Sequence, residues 1–172
     1  MGKTLVAYFS RPGQNYVSGG IVGLPRGNTE VLAEAIADAL GADTYRIEPA
    51  VAYPEDYYAC TDVAKRELVE GARPELAAAP PSLEDYDVII LGYPNWWGTC
   101  PMAVRTFLDA CDLAGKVIAP LCTNEGSGMG SSVTDLRRAY PQATVAEGLA
   151  IAGHDAAAST GRAVAWAQRV VS

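Results

Sequence analysis

Asp87-Val88-Ile89-Ile90-Leu91-Gly92-Tyr93-Pro94-Asn95-Trp96-Trp97-Gly98 is the stretch on which the fold turns. Its first half is an unbroken apolar run, the pattern of a strand buried on both faces of a parallel sheet. Pro94 has no amide hydrogen to give a ladder and drives Tyr93 to an extended conformation, so the strand is expected to end there. Trp96 and Trp97 then sit side by side in a loop bracketed by Pro and Gly, where both cannot turn into one core. Two readings stand: an aromatic wall for a flat ligand, or a loop that folds one indole beneath itself as a plug.

Upstream, Leu5-Val6-Ala7-Tyr8-Phe9 is a second apolar run and a second central strand, ending at Ser10. Arg11 to Gly27 holds Pro12, Gly13, Gly19, Gly20, Gly23 and Pro25 and reads as a long loop. A helix begins at Asn28 or Thr29, carries an apolar face through Val31, Leu32, Ala35, Ile36, Ala39 and Leu40, and stops before Gly41. Asp43 to Glu48 is charged, as an edge strand would be. A helix over 55–70 follows, then a Pro/Ala-rich connection over 71–81, then the opening stretch.

Pro101 starts a helix to about Ala110, and Lys116 to Cys122 makes a fourth strand in which Pro120 implies an end or a bulge. Thr123 to Gly130 is a glycine-rich loop. A helix over 131–139, a fifth strand from Thr144 to Ile151 and a final helix to Val170 complete the chain. Strand and helix alternate five times with neither a repeat nor a linker. This predicts one α/β domain over residues 1–172, a doubly wound parallel sheet with helices on both faces.

In such sheets ligands bind beyond the carboxyl ends of the strands. Three loops leave carboxyl ends here, Ser10 to Thr29, Tyr93 to Gly98 and Thr123 to Gly130, and they are compositionally the strangest in the chain. Ser10 with Gly27-Asn28-Thr29 at a helix start is anion chemistry, from free backbone N–H groups and side-chain donors; plain capping is the alternative. No G-x-x-x-x-G-K-S/T, no G-x-G-x-x-G after the first strand and no G-x-S-x-G elbow occurs, which disfavours nucleoside triphosphate, dinucleotide and hydrolase sites.

With 49% apolar and 19% charged residues the composition is that of an ordinary globular protein. A formal charge of −7 speaks against nucleic acid and anionic membranes and suits docking on a basic protein face. No apolar segment reaches the ~18 to 20 residues of a membrane span. The N-terminus runs almost directly into a strand without a secretory pattern. Cys60, Cys100, Cys111 and Cys122 lack metal-ligand spacing and read as structural thiols in a reducing cytoplasm. His154, the single histidine, reads as a structural or capping residue.

Tyr8-Phe9-Ser10-Arg11, Gly27-Asn28-Thr29, Gly92-Tyr93-Pro94-Asn95-Trp96-Trp97-Gly98 and Glu125-Gly126-Ser127-Gly128 together resemble the flavodoxin family, closest to a bacterial branch with an enlarged phosphate loop. The resemblance implies a five-stranded sheet in order 2-1-3-4-5 with FMN at the switch point. It implies that Ser10, Gly27, Asn28 and Thr29 hold the phosphate, with Arg11 beside them in the cofactor site, and that Pro94, Asn95, Trp96, Trp97 and Gly98 flank the isoalloxazine. It places Thr123, Glu125, Gly126, Ser127 and Gly128 at the pyrimidine end. No metal is implied. Residues 11–27 interrupt the short phosphate loop of classical members, which leaves open which of Arg11, Gln14, Asn15, Tyr16 and Arg26 touch the cofactor. The third loop lacks their stacking aromatic, which leaves one flavin face open and makes Tyr16 a candidate cover. The reading that follows is an electron carrier serving redox partner proteins. A reductase using NAD(P)H on a quinone or nitro acceptor is the alternative, and a flavin-free interaction module a third.

Overall fold

The computed structural model describes residues 2–172. Its elements run β1 (Lys3–Tyr8), β2 (Gly13–Val17), β3 (Gly20–Leu24), α1 (Asn28–Leu40), β4 (Asp43–Arg46), α2 (Tyr57–Glu70) and β5 (Tyr86–Pro94). They continue with α3 (Met102–Asp109), β6 (Val117–Asn124), α4 (Ser132–Ala139), β7 (Thr144–Val145), β8 (Leu149–Ala152) and α5 (Thr160–Val171). The main sheet is parallel, in order β4-β1-β5-β6-β7, with β8 also paired to β6. Counting β7 and β8 as one position, this is the 2-1-3-4-5 order.

Alternation along the strands splits the core into two layers. Leu5, Ala7, Phe9, Ile89, Leu91 and Ile118 face one side, where α3 packs Val104, Phe107 and Leu108 and α4 packs Leu136. Val6, Tyr8, Ile90, Ala119 and Leu121 face the other, against Leu32 and Ile36 of α1 and Ala163, Trp166 and Ala167 of α5. Both faces of the central strands are apolar because helices cover both.

Three expectations are corrected. Residues 11–27 are not a plain loop: β2 and β3 pair antiparallel as a separate two-stranded sheet. Ser18 and Gly19 form its turn with φ of 50° and 90°, the left-handed pair that matches the twist of a two-residue hairpin. Next, β5 runs through Pro94, paired to Thr123, and the chain leaves the sheet at Asn95.

Finally, Pro120 neither ends nor bulges β6, whose register against β5 is unbroken from Val117 to Thr123. The break is in the neighbour. The carbonyls of Lys116 and Ile118 accept from Thr144 and Ala146, so alternate residues of β6 face that side, Pro120 among them. Proline offers no donor there, and the fifth position splits into β7 and β8 across residues 146–148.

Candidate functional site

The carboxyl ends of β1, β5 and β6 converge on a cleft of about 240 Å³. Ser10, Arg11, Asn28 and Thr29 line its first side. Ser10 is fixed at both ends: its Oγ accepts the Glu30 N–H at 3.0 Å and its carbonyl accepts from Arg46 at 3.4 Å. Having accepted, the hydroxyl keeps its own hydrogen to donate into the cleft. The amides of Asn28 and Thr29, in the first turn of α1, have no partner among the described residues. Gly27 does not line the cleft. A Cβ there would overlap Ser10 Oγ and lie 2.9 Å from the Arg11 amide nitrogen, so glycine lets the two ends of the phosphate-type loop close together.

Pro94, Asn95 and Trp96 form the second side. The turn after Asn95 is tight. Trp96 and Thr99 exchange backbone hydrogen bonds, while Trp97 and Gly98 between them both have positive φ, 55° and 84°. Asn95 Oδ1 accepts the Gly98 N–H, Asn95 Nδ2 donates to the Gly128 carbonyl, and the Gly98 carbonyl accepts from Ser131 N and Oγ. The two indoles divide the readings set out above. Trp96 packs edge-on against Phe9 and Tyr53, each at 5.0 Å, and still borders the cleft. Trp97 turns outward, 49% exposed, with Nε1 donating to the Thr61 carbonyl and Lys65 Nζ 4.8 Å above its ring.

Thr123, Glu125 and Ser127 form the third side, while Gly98, Gly126 and Gly128 shape the turns behind it without lining it. Thr123 Oγ1 meets Thr29 Oγ1 at 2.8 Å, buried, joining this side to the first. Glu125 accepts the His154 amide at 2.9 Å, its Nδ1 at 2.9 Å and the Ser18 amide of the hairpin turn at 3.3 Å. The hydrogen bond to Glu125 is the main cause that raises the His154 pKa above the free imidazole value. His154 therefore keeps a cleft-side carboxylate paired, where the sequence pointed to a structural or capping role.

Residues that the sequence reading left out also line the cleft: Tyr57, from the first turn of α2, Asn124, the last residue of β6, and Gly153, after β8. The tandem Tyr57-Tyr58 at a helix start was the signal for the first. Asn15 and Tyr16, undecided on sequence, border it from the hairpin, and Tyr16 lies 6.4 Å from Tyr57. Arg11 bolts the hairpin down, donating to the carbonyls of Gln14, Pro54 and Glu55. At Gly153 a Cβ would stand 2.6 Å from Asn28 Nδ2 and 2.8 Å from Glu125 Oε1, so the missing side chain keeps the cleft open.

The donor set suits a phosphate monoester with an attached flat ring: free amides and a hydroxyl at one end, indole and backbone at the other, and no side-chain carboxylate left unpaired between them. The thiols take no part. Burial pushes Cys100 and Cys122 up to about 12 and Cys111 up to about 11. No cluster of metal-ligating side chains occurs among the described residues.

The chain is similar to several known proteins. An NAD(P)H dehydrogenase (quinone) of Archaeoglobus fulgidus is 33% identical over 138 residues, 74% of this chain and 70% of that protein. A Bacteroides eggerthii protein provisionally called a flavoprotein superposes with a TM-score of 0.79 at 29% identity, covering 100% of this chain and 99% of its own. A flavoprotein from Lactobacillus acidophilus, solved with FMN, shares the fold with a TM-score of 0.66 at 21% identity over 87% of this chain and 93% of its own. The family model described as Flavodoxin matches residues 3–169, and the chain belongs to the flavodoxin family.

Proposed function

We propose that this protein binds FMN in the cleft between β1, β5 and β6 and acts as a redox protein. The observation that carries the reading is the meeting of Thr29 and Trp96, 67 residues apart in sequence, on one cleft whose polar end offers unspent amides and whose other end offers an indole. The Asn28 and Thr29 amides and the Ser10 hydroxyl would hold the phosphate. Pro94, Asn95 and Trp96 would flank the ring on one side, with Thr123, Glu125 and Ser127 along its far edge. Bound FMN would supply reversible uptake of electrons.

The residues around it do the rest. Asn95 and Ser131 hold the Trp97–Gly98 turn rigid, His154 keeps the Glu125 charge paired, and the hairpin screens one flank from water. Trp97 does not border the cleft, and its role is the outer wall described below. The redox partner is a protein or a small acceptor. A second reading, an NAD(P)H-dependent reductase, has the Archaeoglobus relative's name and the open face beside Tyr57 in its favour. A single domain in reducing cytoplasm fits the four free thiols.

Purified protein titrated with FMN tests the reading, followed by flavin absorbance and calorimetry. One flavin retained per chain is expected; none retained overturns the proposal. Anaerobic mixing with NADPH then separates the two roles. Rapid bleaching marks the reductase, and an unchanged spectrum marks the carrier.

A further inference from the structure

Beside the cleft lies a second depression of about 400 Å³, within the ~300 to 1,000 Å³ of small-molecule sites. Tyr58, Thr61 and Ala64 of α2 form one wall, and Trp96 and Trp97 the other. Asn15, Tyr57, Asn95 and Trp96 border both the groove and the cleft, as does Arg11, which sits where the two meet. Three features set the groove apart. Tyr58 and Trp97 border it without bordering the cleft, so it has aromatic walls of its own. The Trp97 wall is fixed in advance: its indole is tied to α2 through Thr61, and its backbone is held in the left-handed turn. Preorganised walls lower the ordering cost of binding.

The third feature is charge. In a chain of formal charge −7, no carboxylate among the described residues lines the groove. Lys65 covers the Trp97 ring at its margin. Arg11 has five N–H donors and spends three on backbone carbonyls, which leaves two. Asp56, close in sequence, is turned back to cap α2 through the Ala59 amide.

We propose that this groove binds a planar aromatic anion, its ring between Tyr58 and Trp97 and its acidic group on the unspent donors of Arg11. The ligand then lies next to the cofactor cleft. Its role as a redox substrate or modulator rests on the flavin reading above; its binding does not.

Calorimetry of the FMN-loaded protein with naphthalene-2-sulfonate, against 2-naphthylmethylammonium as the cation of the same ring system, tests this. Saturable binding of the sulfonate is expected, about tenfold or more tighter than the cation. Tyr58→Ala and Trp97→Ala should each weaken it about three- to twelvefold, the worth of one lost aromatic contact. FMN affinity of Tyr58→Ala should stay at the parent value. Equal affinity for the cation, no loss in either variant, or displacement of the sulfonate by FMN from unloaded protein would each overturn the proposal. A protein that takes the sulfonate as expected but no FMN sinks the flavin reading alone, whereas FMN without the sulfonate sinks the groove alone.

Discussion

Gly153 carries its weight by lacking a side chain. Its φ is not in the left-handed region, so Gly153→Ala is conformationally permitted and acts through the added methyl alone. That methyl would crowd Asn28 and Glu125, and the expected result is FMN affinity reduced about tenfold or more with the fold intact, read by calorimetry and circular dichroism. His154 gives a pH dependence with a definite sign. Its folded pKa lies above the about 6.5 of a free imidazole, chiefly through the Glu125 hydrogen bond. The ion pair therefore contributes stability in full below about pH 6.5, and this is lost as pH rises through the folded value. His154→Ala should destabilise the protein at about pH 6 and much less at about pH 9. The imidazole titration followed by NMR should move back toward the free value in Glu125→Gln. Ser10, Asn28, Thr29 and Trp96 were legible in the sequence because motif and loop position agree. Gly153 was not, since nothing local distinguishes a glycine that spares space from one that makes a turn.

At the scale of elements, the strongly apolar strands and amphipathic helices were readable because each carries one period over its whole length. The hairpin was misread as loop because its glycines outweighed a fainter pattern. Tyr16-Val17 and Ile21-Val22 flank Ser18-Gly19-Gly20, which is two short β-forming segments around a turn. Pro120 misled in the other direction, since its effect falls on a strand some 25 residues later. The layer under α3 is buried and apolar. Phe107 is fully buried and stacks on Tyr45 at 5.3 Å with ring planes 23° apart. Phe107→Ala should cost about 3 to 5 kcal/mol in urea denaturation, with an unchanged slope. Tyr93, also fully buried, donates its hydroxyl to Ser132 at 2.9 Å. Tyr93→Phe should cost about 0.5 to 1.5 kcal/mol, because Ser132 keeps its bond to the Met129 carbonyl.

For the molecule as a whole, both core layers share one sheet, and a single cooperative unfolding transition is expected. A ligand that holds the ends of β1, β5 and β6 together stabilises that unit. At FMN a hundredfold above its dissociation constant the gain is about 2.7 kcal/mol. For a chain of this length that corresponds to a rise of roughly 5 to 10 °C in Tm, measurable by scanning calorimetry. The broken fifth position bears on a different hazard. An outermost strand that is long and flat is a template on which other chains can extend a sheet into fibrils. Here that border consists of two segments of 2 and 4 residues separated by a gap, and it offers an incoming strand no continuous ladder to copy. The proline beside that gap thus makes this border of the sheet a poor seed for aggregation.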